Sequence, residues 1–129
     1  MTYTFLLIGK KTGSWKDRMK EAVSTLGELQ SVSETEAMGH VYMSKPDVIV
    51  IDESAVKRVT ELIARFSSQL DPPHVIVAFA SPPRWQEALR LFKAGATDCM
   101  SKNSEKDDLA IFFKDLLADT TKAWSKKAD

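Results

Sequence analysis

The 129-residue chain has little that would cross-link it, anchor it in a membrane or attract it to a polyanion. Its single cysteine, Cys99, excludes an intrachain disulfide and a cysteine-rich metal site, and it suits a reducing cytoplasm. No apolar run approaches the roughly 20 residues that cross a bilayer. Eighteen basic residues balance eighteen acidic ones. We therefore expect one cytoplasmic domain with no general attraction to membranes or nucleic acid.

Three short apolar runs, continuous and mostly β-branched, predict strands that are buried on both faces. They are Phe5–Ile8, Val48–Ile51 and Val75–Ala80. Runs of this kind are typical of a parallel sheet covered by helices. Leu29–Val32 and Cys99–Ser101 are weaker runs, and we assign them to the two edges of the sheet.

Segments with helical spacing separate the predicted strands. Ser14 is placed to cap a first helix that Gly27 ends, and Ser81-Pro82 is placed to begin a fourth. The pattern predicts βα repeated five times: a doubly wound, flavodoxin-like α/β domain whose five parallel strands run in the order 2-1-3-4-5, with helices on both faces. We assign residues 1–121 to this domain and residues 122–129 to a frayed tail.

In this topology, functional side chains are expected at the carboxyl ends of the strands. Asp52 directly follows the third predicted strand, whereas Gly9 and Lys10 follow the first. Ser81 comes just after the fourth strand, and Lys102 just after the fifth. We call the space between these strand ends the crevice.

Two motifs resemble bacterial response-regulator receiver domains of the CheY-like type. Pro46-Asp47, followed by four apolar residues and Asp52, is similar to the strand that carries the phosphoryl-accepting aspartate of that family. Ala94-Gly95-Ala96-Thr97-Asp98, followed by Lys102, is similar to the approach to its phosphate-binding lysine. The resemblance covers roughly residues 4–118. It implies a non-enzymatic module of two-component signal transduction or a phosphorelay, with protein partners.

The metal-binding part of that chemistry is altered. The resemblance implies two acids that hold Mg²⁺ at the positions where Gly9 and Lys10 stand. Lys10 and Lys102 instead bring positive charge towards Asp52, and only Glu53 adds a nearby carboxylate. Because Mg²⁺ sites are built from carboxylates and waters, we expect no metal and no other cofactor. We predict that Lys10 substitutes for the metal and holds the crevice in one state.

The residues that would relay a phosphorylation signal also differ. The resemblance implies a Thr or Ser where Phe79 or Ala80 stands, with Ser81 one or two residues late, and an aromatic residue where Cys99 stands. If Phe79 faces the relay space, side-chain bulk has moved from the fifth strand to the fourth. The alternative is that Phe79 is an ordinary core residue of its strand.

A protein-binding face is predicted on the fourth helix, the fifth strand and the last helix. Ala88, Leu91 and Phe92 are assigned to the core side of the fourth helix, and Leu109, Phe112 and Leu116 to the core seam of the last helix. A second stripe on the last helix includes Trp124. The alternative is that these apolar stripes are a broad core contact. The residues predicted to form the face are Arg84, Trp85, Leu89, Cys99, Phe113 and Leu117.

We therefore predict an atypical receiver, or pseudo-receiver, that binds a signalling partner or forms a homodimer through this face without Mg²⁺-dependent phosphorylation. Two alternatives remain open. One is a receiver that is phosphorylated on Asp52. The other is a flavodoxin-like domain that binds FMN or another phosphate-bearing ligand at Lys11-Thr12-Gly13-Ser14, beside a helix N-terminus. No helix-turn-helix follows the receiver-like region and no basic face is evident, so DNA binding is not predicted.

Overall fold

The computed structural model describes the secondary structure of residues 2–128 and the side chains of residues 2–118. Strands and helices alternate along these residues, and one 3-10 turn, Glu53–Ala55, follows the third strand. The strands are β1 (Tyr3–Ile8), β2 (Gly27–Val32), β3 (Val48–Asp52), β4 (His74–Phe79) and β5 (Asp98–Ser101). The helices are α1 (Ser14–Val23), α2 (Ala37–Ser44), α3 (Val59–Ser67), α4 (Trp85–Ala94) and α5 (Lys106–Ala128).

The five strands form one parallel sheet in the order β2-β1-β3-β4-β5, which confirms the predicted fold. β1 and β3 are neighbours at the centre of the sheet, and Ile8 lies opposite Ile51. Gly9 follows Ile8 and Asp52 follows Ile51, so Gly9 and Asp52 lie next to each other at the same edge of the sheet. The register of β4 and β5 places Phe79 opposite Ser101, so Lys102 follows at that edge as well.

The two faces of the sheet carry separate apolar clusters. One joins the sheet to α2, α3 and α4, and includes Phe66, Phe79 and Leu91. The other joins it to α1 and α5, and includes Phe5 and Phe113. Side chains on both faces of the central strands are buried because a parallel sheet is covered by helices on both sides.

Three predicted helix boundaries need correction. The N-cap of α1 is Gly13, and Ser14 is the first residue of the helix. α1 ends at Val23, and Gly27 begins β2 instead of ending the helix. A Cβ atom at position 27 would collide with the backbone oxygen of Tyr3, so the close pairing of β1 and β2 explains this glycine better than a helix end. α4 begins at Trp85, after an extended Arg84, and not at Ser81-Pro82.

α5 runs to Ala128. The predicted frayed tail, residues 122–129, therefore falls on residues whose side chains, including that of Trp124, lie outside the described residues. The domain boundary at residue 121 stays a prediction. Within the described part of the chain, none of the helices combines the length and apolar character that a bilayer crossing requires.

Candidate functional site

Both carboxylate oxygens of Asp52 accept hydrogen bonds inside the protein. Oδ1 accepts one from the Ser54 backbone N–H at 3.2 Å and one from the Ser54 hydroxyl at 2.8 Å. Oδ2 accepts one from the Lys102 ammonium at 3.0 Å. The same Nζ atom also donates to the Ser54 hydroxyl oxygen at 3.1 Å. Asp52, Ser54 and Lys102 thus form a closed triangle, which we call the Asp52 triangle.

The local sequence explains how Asp52 and Ser54 meet. Asp52 is the last residue of β3 and the N-cap of the 3-10 turn, with an extended backbone at φ −78° and ψ 103°. An aspartate in this position hydrogen-bonds to the backbone N–H two residues later, which here belongs to Ser54. The side chain of Ser54 then adds a second bond to the same oxygen.

Three contacts fix the backbone that carries Lys102. The Lys102 N–H donates to the Phe79 carbonyl at 2.8 Å, which continues the β4–β5 pairing. The Asn103 amide donates to the Ala80 carbonyl at 3.1 Å. From α1, the Arg18 guanidinium donates to the Lys102 carbonyl at 2.8 Å. The loop that presents Lys102 is therefore held from β4 and from α1.

The ion pair at the centre of the Asp52 triangle is largely desolvated. The Asp52 side chain is 4% exposed and the Lys102 side chain 20% exposed. At an effective dielectric constant near 20, unit charges 3.0 Å apart attract by about 5 to 6 kcal/mol, and desolvation of both groups offsets much of that attraction. The pair has no net charge, so the crevice offers little electrostatic attraction to a cation.

Lys10 does not take part in this ion pair. Its side chain is exposed, and the cation within ion-pair distance of Asp52, among the described side chains, is that of Lys102. Lys10 therefore makes no ion pair with Asp52 among these contacts, and the prediction that it substitutes for the metal is wrong.

Gly9 allows the end of β1 to lie directly against Asp52. A Cβ atom at position 9 would be 2.8 Å from the Asp52 Cβ and 3.5 Å from its Oδ2. Distances under 3 Å between such atoms require the backbone to shift. The absence of a side chain at this position thus lets the backbone fill space next to the carboxylate.

The residues of the crevice do not fit Mg²⁺. This ion prefers six oxygen ligands at about 2.0 to 2.1 Å. Within residues 2–118, no three His, Cys, Asp or Glu side chains come together in an arrangement suited to a metal ion. The half-buried Glu53 is the one carboxylate adjacent to Asp52 in the sequence, and both Asp52 oxygens already accept hydrogen bonds. The described side chains of the crevice thus supply fewer carboxylates than a Mg²⁺ site is usually built from.

The end of β4 carries bulk where the resemblance implies a hydroxyl. Phe79 is 4% exposed and packs in the same cluster as Leu91, and the half-buried Cys99 packs against that cluster. Ala80 and Ser81 are exposed. Phe79 is thus a core residue. It belongs to the apolar cluster against which Cys99 packs, so its ring adds bulk on the side of the sheet where Cys99 lies. Burial, with a contribution from Asp98, raises the pKa of the Cys99 thiol, which keeps it protonated at neutral pH.

Two carboxylates in the β2–α2 loop, which the sequence analysis missed, tie the neighbouring loops together. Both Glu34 oxygens accept backbone N–H groups, from Lys57 at 3.0 Å and Arg58 at 2.9 Å, and these bonds lower the Glu34 pKa. Glu36 pairs with Lys11 at 2.7 Å, and this contact, with help from Ser33, lowers the Glu36 pKa to about 2.

The sequence contains a signal for the second of these contacts. Ser33 and Glu36 have the Ser-x-x-Glu spacing of a capping box, although Glu36 itself is the N-cap of α2, and the Ser33 hydroxyl and N–H both donate to Glu36. Because Lys11 is already paired with Glu36, it is not free to neutralise a ligand phosphate in the first loop. The contact counts against the FMN alternative.

An apolar stripe lies on the outer side of α4. Trp85 is 71% exposed, and Leu89 and Phe92, four and seven residues later, are each 43% exposed. Arg84, just before the helix, is exposed as well. Of the residues assigned to the core side of α4, Leu91 is buried at 4% exposure, whereas the assignment of Phe92 needs correction because that side chain is exposed. We call Trp85, Leu89 and Phe92 the α4 stripe.

Two other predicted contact residues lie inside the protein. Phe113 is 0% exposed and Leu117 is 8% exposed, so neither is available to a partner. Together with Leu109 they form the buried side of α5 at helical spacing, and Phe113 packs edge-to-face on Phe5 at 5.6 Å between ring centroids. Phe112 and Leu116, predicted as the seam, are only partly buried. The helix is rotated by about one residue relative to the prediction.

Comparison with family models and with curated proteins gives no match for this sequence. Solved structures do match. A response regulator from Thermotoga maritima aligns with a TM-score of 0.77 at 21% identity, over 92% of this chain and 99% of that one. The signal receiver domain of a putative Luxo repressor protein from Vibrio parahaemolyticus gives 0.77 at 19% identity, over 99% and 97%.

An orphan response regulator of H. pylori gives a TM-score of 0.74 at 14% identity, over 86% of this chain and 93% of that one. Similarity at these identities establishes a shared fold. The chain has the fold of response-regulator receiver domains, which confirms at the level of structure the resemblance of its two sequence motifs.

Proposed function

We propose that this chain is a non-enzymatic signalling module, an atypical receiver that acts by protein–protein contact without Mg²⁺-dependent phosphorylation of Asp52. The fold is that of receiver domains, and proteins of that fold described as response regulators act in signal transduction. The changes in this chain fall at the crevice, where the chemistry of such domains would take place.

The Asp52 triangle is the observation that carries this proposal. A phosphoryl acceptor needs a carboxylate oxygen free to attack and a cation that neutralises the incoming phosphoryl group. Here Ser54 and Lys102 donate hydrogen bonds to both oxygens of Asp52, so an incoming cation or phosphoryl group would have to displace or share these contacts. The backbone at Gly9 lies where the resemblance implies a metal-binding acid. The crevice is therefore held in one state by contacts within the chain.

The α4 stripe is the surface through which the domain would contact its partner. Three large apolar side chains exposed on one helix face are costly in water, and aromatic anchors beside an arginine suit a protein interface. The partner is a signalling protein or a second copy of the chain. Trp85→Ser with Leu89→Ser should abolish association in sedimentation velocity, whereas Ile111→Ser, which changes an exposed apolar residue of α5 outside the α4 stripe, serves as the control.

Intact-mass spectrometry after incubation with Mg²⁺ and acetyl phosphate tests the chemical part of the proposal. We expect no gain in mass for the wild-type chain. The gain of one phosphoryl group in the wild-type chain, and its loss in Asp52→Asn, would contradict the proposal.

One observation favours a second candidate, a receiver that is phosphorylated on Asp52. Lys102 contacts Asp52 at 3.0 Å, and the resemblance implies a lysine in this position in receivers that use a phosphoryl group. The mass experiment separates the two candidates directly. The two also differ in whether beryllofluoride, a phosphoryl mimic, with Mg²⁺ changes the NMR spectrum of the crevice residues.

A further inference from the structure

A cavity of about 720 Å³ opens at the amino-terminal edge of the sheet, at the opposite end of the strands from Asp52. Its walls come from the start of β1, the end of α2, the connection between α3 and β4, and α5. We call it the lower groove and define it by Tyr3, Tyr42, Leu70, Asp71 and Leu117. None of the residues that form the crevice or the α4 stripe lines it.

Part of the apolar lining of the lower groove is open to water. Tyr42 of α2 is 64% exposed, and Leu70, on the connection between α3 and β4, is fully exposed. Leu117 of α5, by contrast, is 8% exposed and packs in the cluster that joins the sheet to α1 and α5. Large apolar side chains that line a cavity and remain in water favour an occupant that covers them.

The occupant that the chain itself brings to the lower groove is the rest of α5. Leu117 lines the groove, and α5 continues as a helix to Ala128. At about 1.5 Å per residue, roughly 16 Å of helix follows Leu117. We call residues 119–128 the C-terminal segment. It is attached directly to a residue that lines the groove, so no linker and no second molecule is needed to bring it there.

Trp124 has the register of an anchor within the C-terminal segment. It follows Phe113 and Leu117, which form the buried side of α5, by eleven and seven residues. At 3.6 residues per turn, position 124 lies within about 20° of both around the helix axis and about 10 Å beyond Leu117. The Trp124 side chain lies outside the described residues, and this register assigns it to the side of the helix that faces the domain. Helical side chains lean towards the helix N-terminus, here towards the groove.

The charges of the two surfaces are complementary. The lower groove is lined by Asp47 and Asp71 against one lysine, Lys45, and burial lowers the pKa of His74, which adds no positive charge at neutral pH. The C-terminal segment carries three lysines and one aspartate. A groove with an excess of negative charge therefore lies next to a segment with an excess of positive charge.

We propose that the lower groove is the docking site of the C-terminal segment of the same chain, with Trp124 as the apolar anchor that covers Tyr42 and Leu70. Residues 122–128 are then held against the domain and do not fray.

Nuclear Overhauser effects in the full chain test this contact. We expect them between the indole protons of Trp124 and the methyl groups of Leu70 or the ring of Tyr42. Trp124→Ala should abolish them and shift the backbone amide resonances of Tyr42 and Leu70. Leu70→Ser, at a fully exposed position, should leave the fold intact and shift the Trp124 indole N–H resonance. Trp85→Ala, which removes an exposed aromatic residue of the α4 stripe, is the matched control and should leave the Tyr42 and Leu70 resonances unchanged.

The proposal is overturned if no Overhauser effect joins Trp124 to the lower groove, or if Trp124→Ala leaves the Tyr42 and Leu70 amides unshifted. A mixture of ¹³C-labelled and unlabelled chains identifies which copy supplies the segment. Effects confined to one copy and independent of concentration support the proposal. Effects between labelled and unlabelled chains that are lost on dilution would assign the groove to a second copy and overturn it. None of these results bears on the Asp52 triangle, and phosphorylation of Asp52 would leave this proposal standing.

Discussion

Replacing Lys102 with methionine tests whether the Asp52 triangle stabilises this fold. Lys102→Met removes one hydrogen bond and the positive charge from Oδ2 of Asp52, whose side chain is 4% exposed. Loss of one partner of a buried ion pair costs about 3 to 5 kcal/mol. Lys102 is 20% exposed and Ser54 still donates two bonds to Asp52, so we expect a loss somewhat below that range, about 2 to 3 kcal/mol.

Lys10→Met is the matched control, since it makes the same change at an exposed lysine in the same crevice. Because Lys10 makes no ion pair with Asp52, this variant should change the free energy of unfolding by less than about 0.5 kcal/mol. Urea unfolding followed by tryptophan fluorescence and far-ultraviolet circular dichroism measures both values. Equal losses in the two variants, or a larger loss in Lys10→Met, would refute the assignment of the ion pair to Lys102.

A double-mutant cycle isolates the pair itself. Asp52→Asn, Lys102→Met and the double variant should give a coupling energy of about 1.5 to 3 kcal/mol, the range for a hydrogen bond to a charged group. A coupling near zero would mean that Lys102 stabilises the protein through its carbon chain and not through Asp52.

Three further predictions concern neighbouring positions. Phe79→Thr, which restores a hydroxyl at the end of β4, should cost about 3 to 5 kcal/mol in urea unfolding, because it empties a buried ring volume, and should confer no phosphorylation in the mass assay. Gly9→Asp should be destabilising by about 1 to 3 kcal/mol and should show no Mg²⁺ binding by calorimetry, because its Cβ would meet that of Asp52 at 2.8 Å. The contact with Lys11 lowers the Glu36 pKa from 4.5 to about 2, so the stabilisation that this contact provides is present above pH 4.5 and is lost as the pH falls towards 2. Glu36→Gln should therefore make the free energy of unfolding depend less on pH between pH 5 and pH 2, and an unchanged pH profile would contradict this.

The sequence was sufficient for the fold because its strands are continuous apolar runs. Val48–Ile51 and Val75–Phe79 are buried on both faces, as expected for a parallel sheet with helices on both sides. The order of strands then follows from right-handed connections and one reversal of winding. Boundaries were less certain, as Gly27 shows: the same residue type suits a helix end and a close strand pairing, and only the position of Tyr3 distinguishes them.

Side-chain direction was the main limit in the candidate site. The residue spacing predicted that Lys10, Asp52 and Lys102 lie at one edge of the sheet. It did not predict which of the two amines contacts the carboxylate. The rotation of α5 was missed for a similar reason. Phe112 and Phe113 are both apolar and adjacent, so periodicity alone assigns the core to either, and the packing of Phe113 on Phe5 decides it. Ser54 was missed because a hydroxyl two residues after an aspartate is common in turns.

A crystal structure obtained with saturating Mg²⁺ and beryllofluoride tests the central claim most directly. The account predicts that the Lys102 ammonium stays in contact with Asp52 at a distance near the present 3.0 Å, with no ion between them. A magnesium ion coordinated by the Asp52 carboxylate, with beryllofluoride bound to the same side chain, would contradict it.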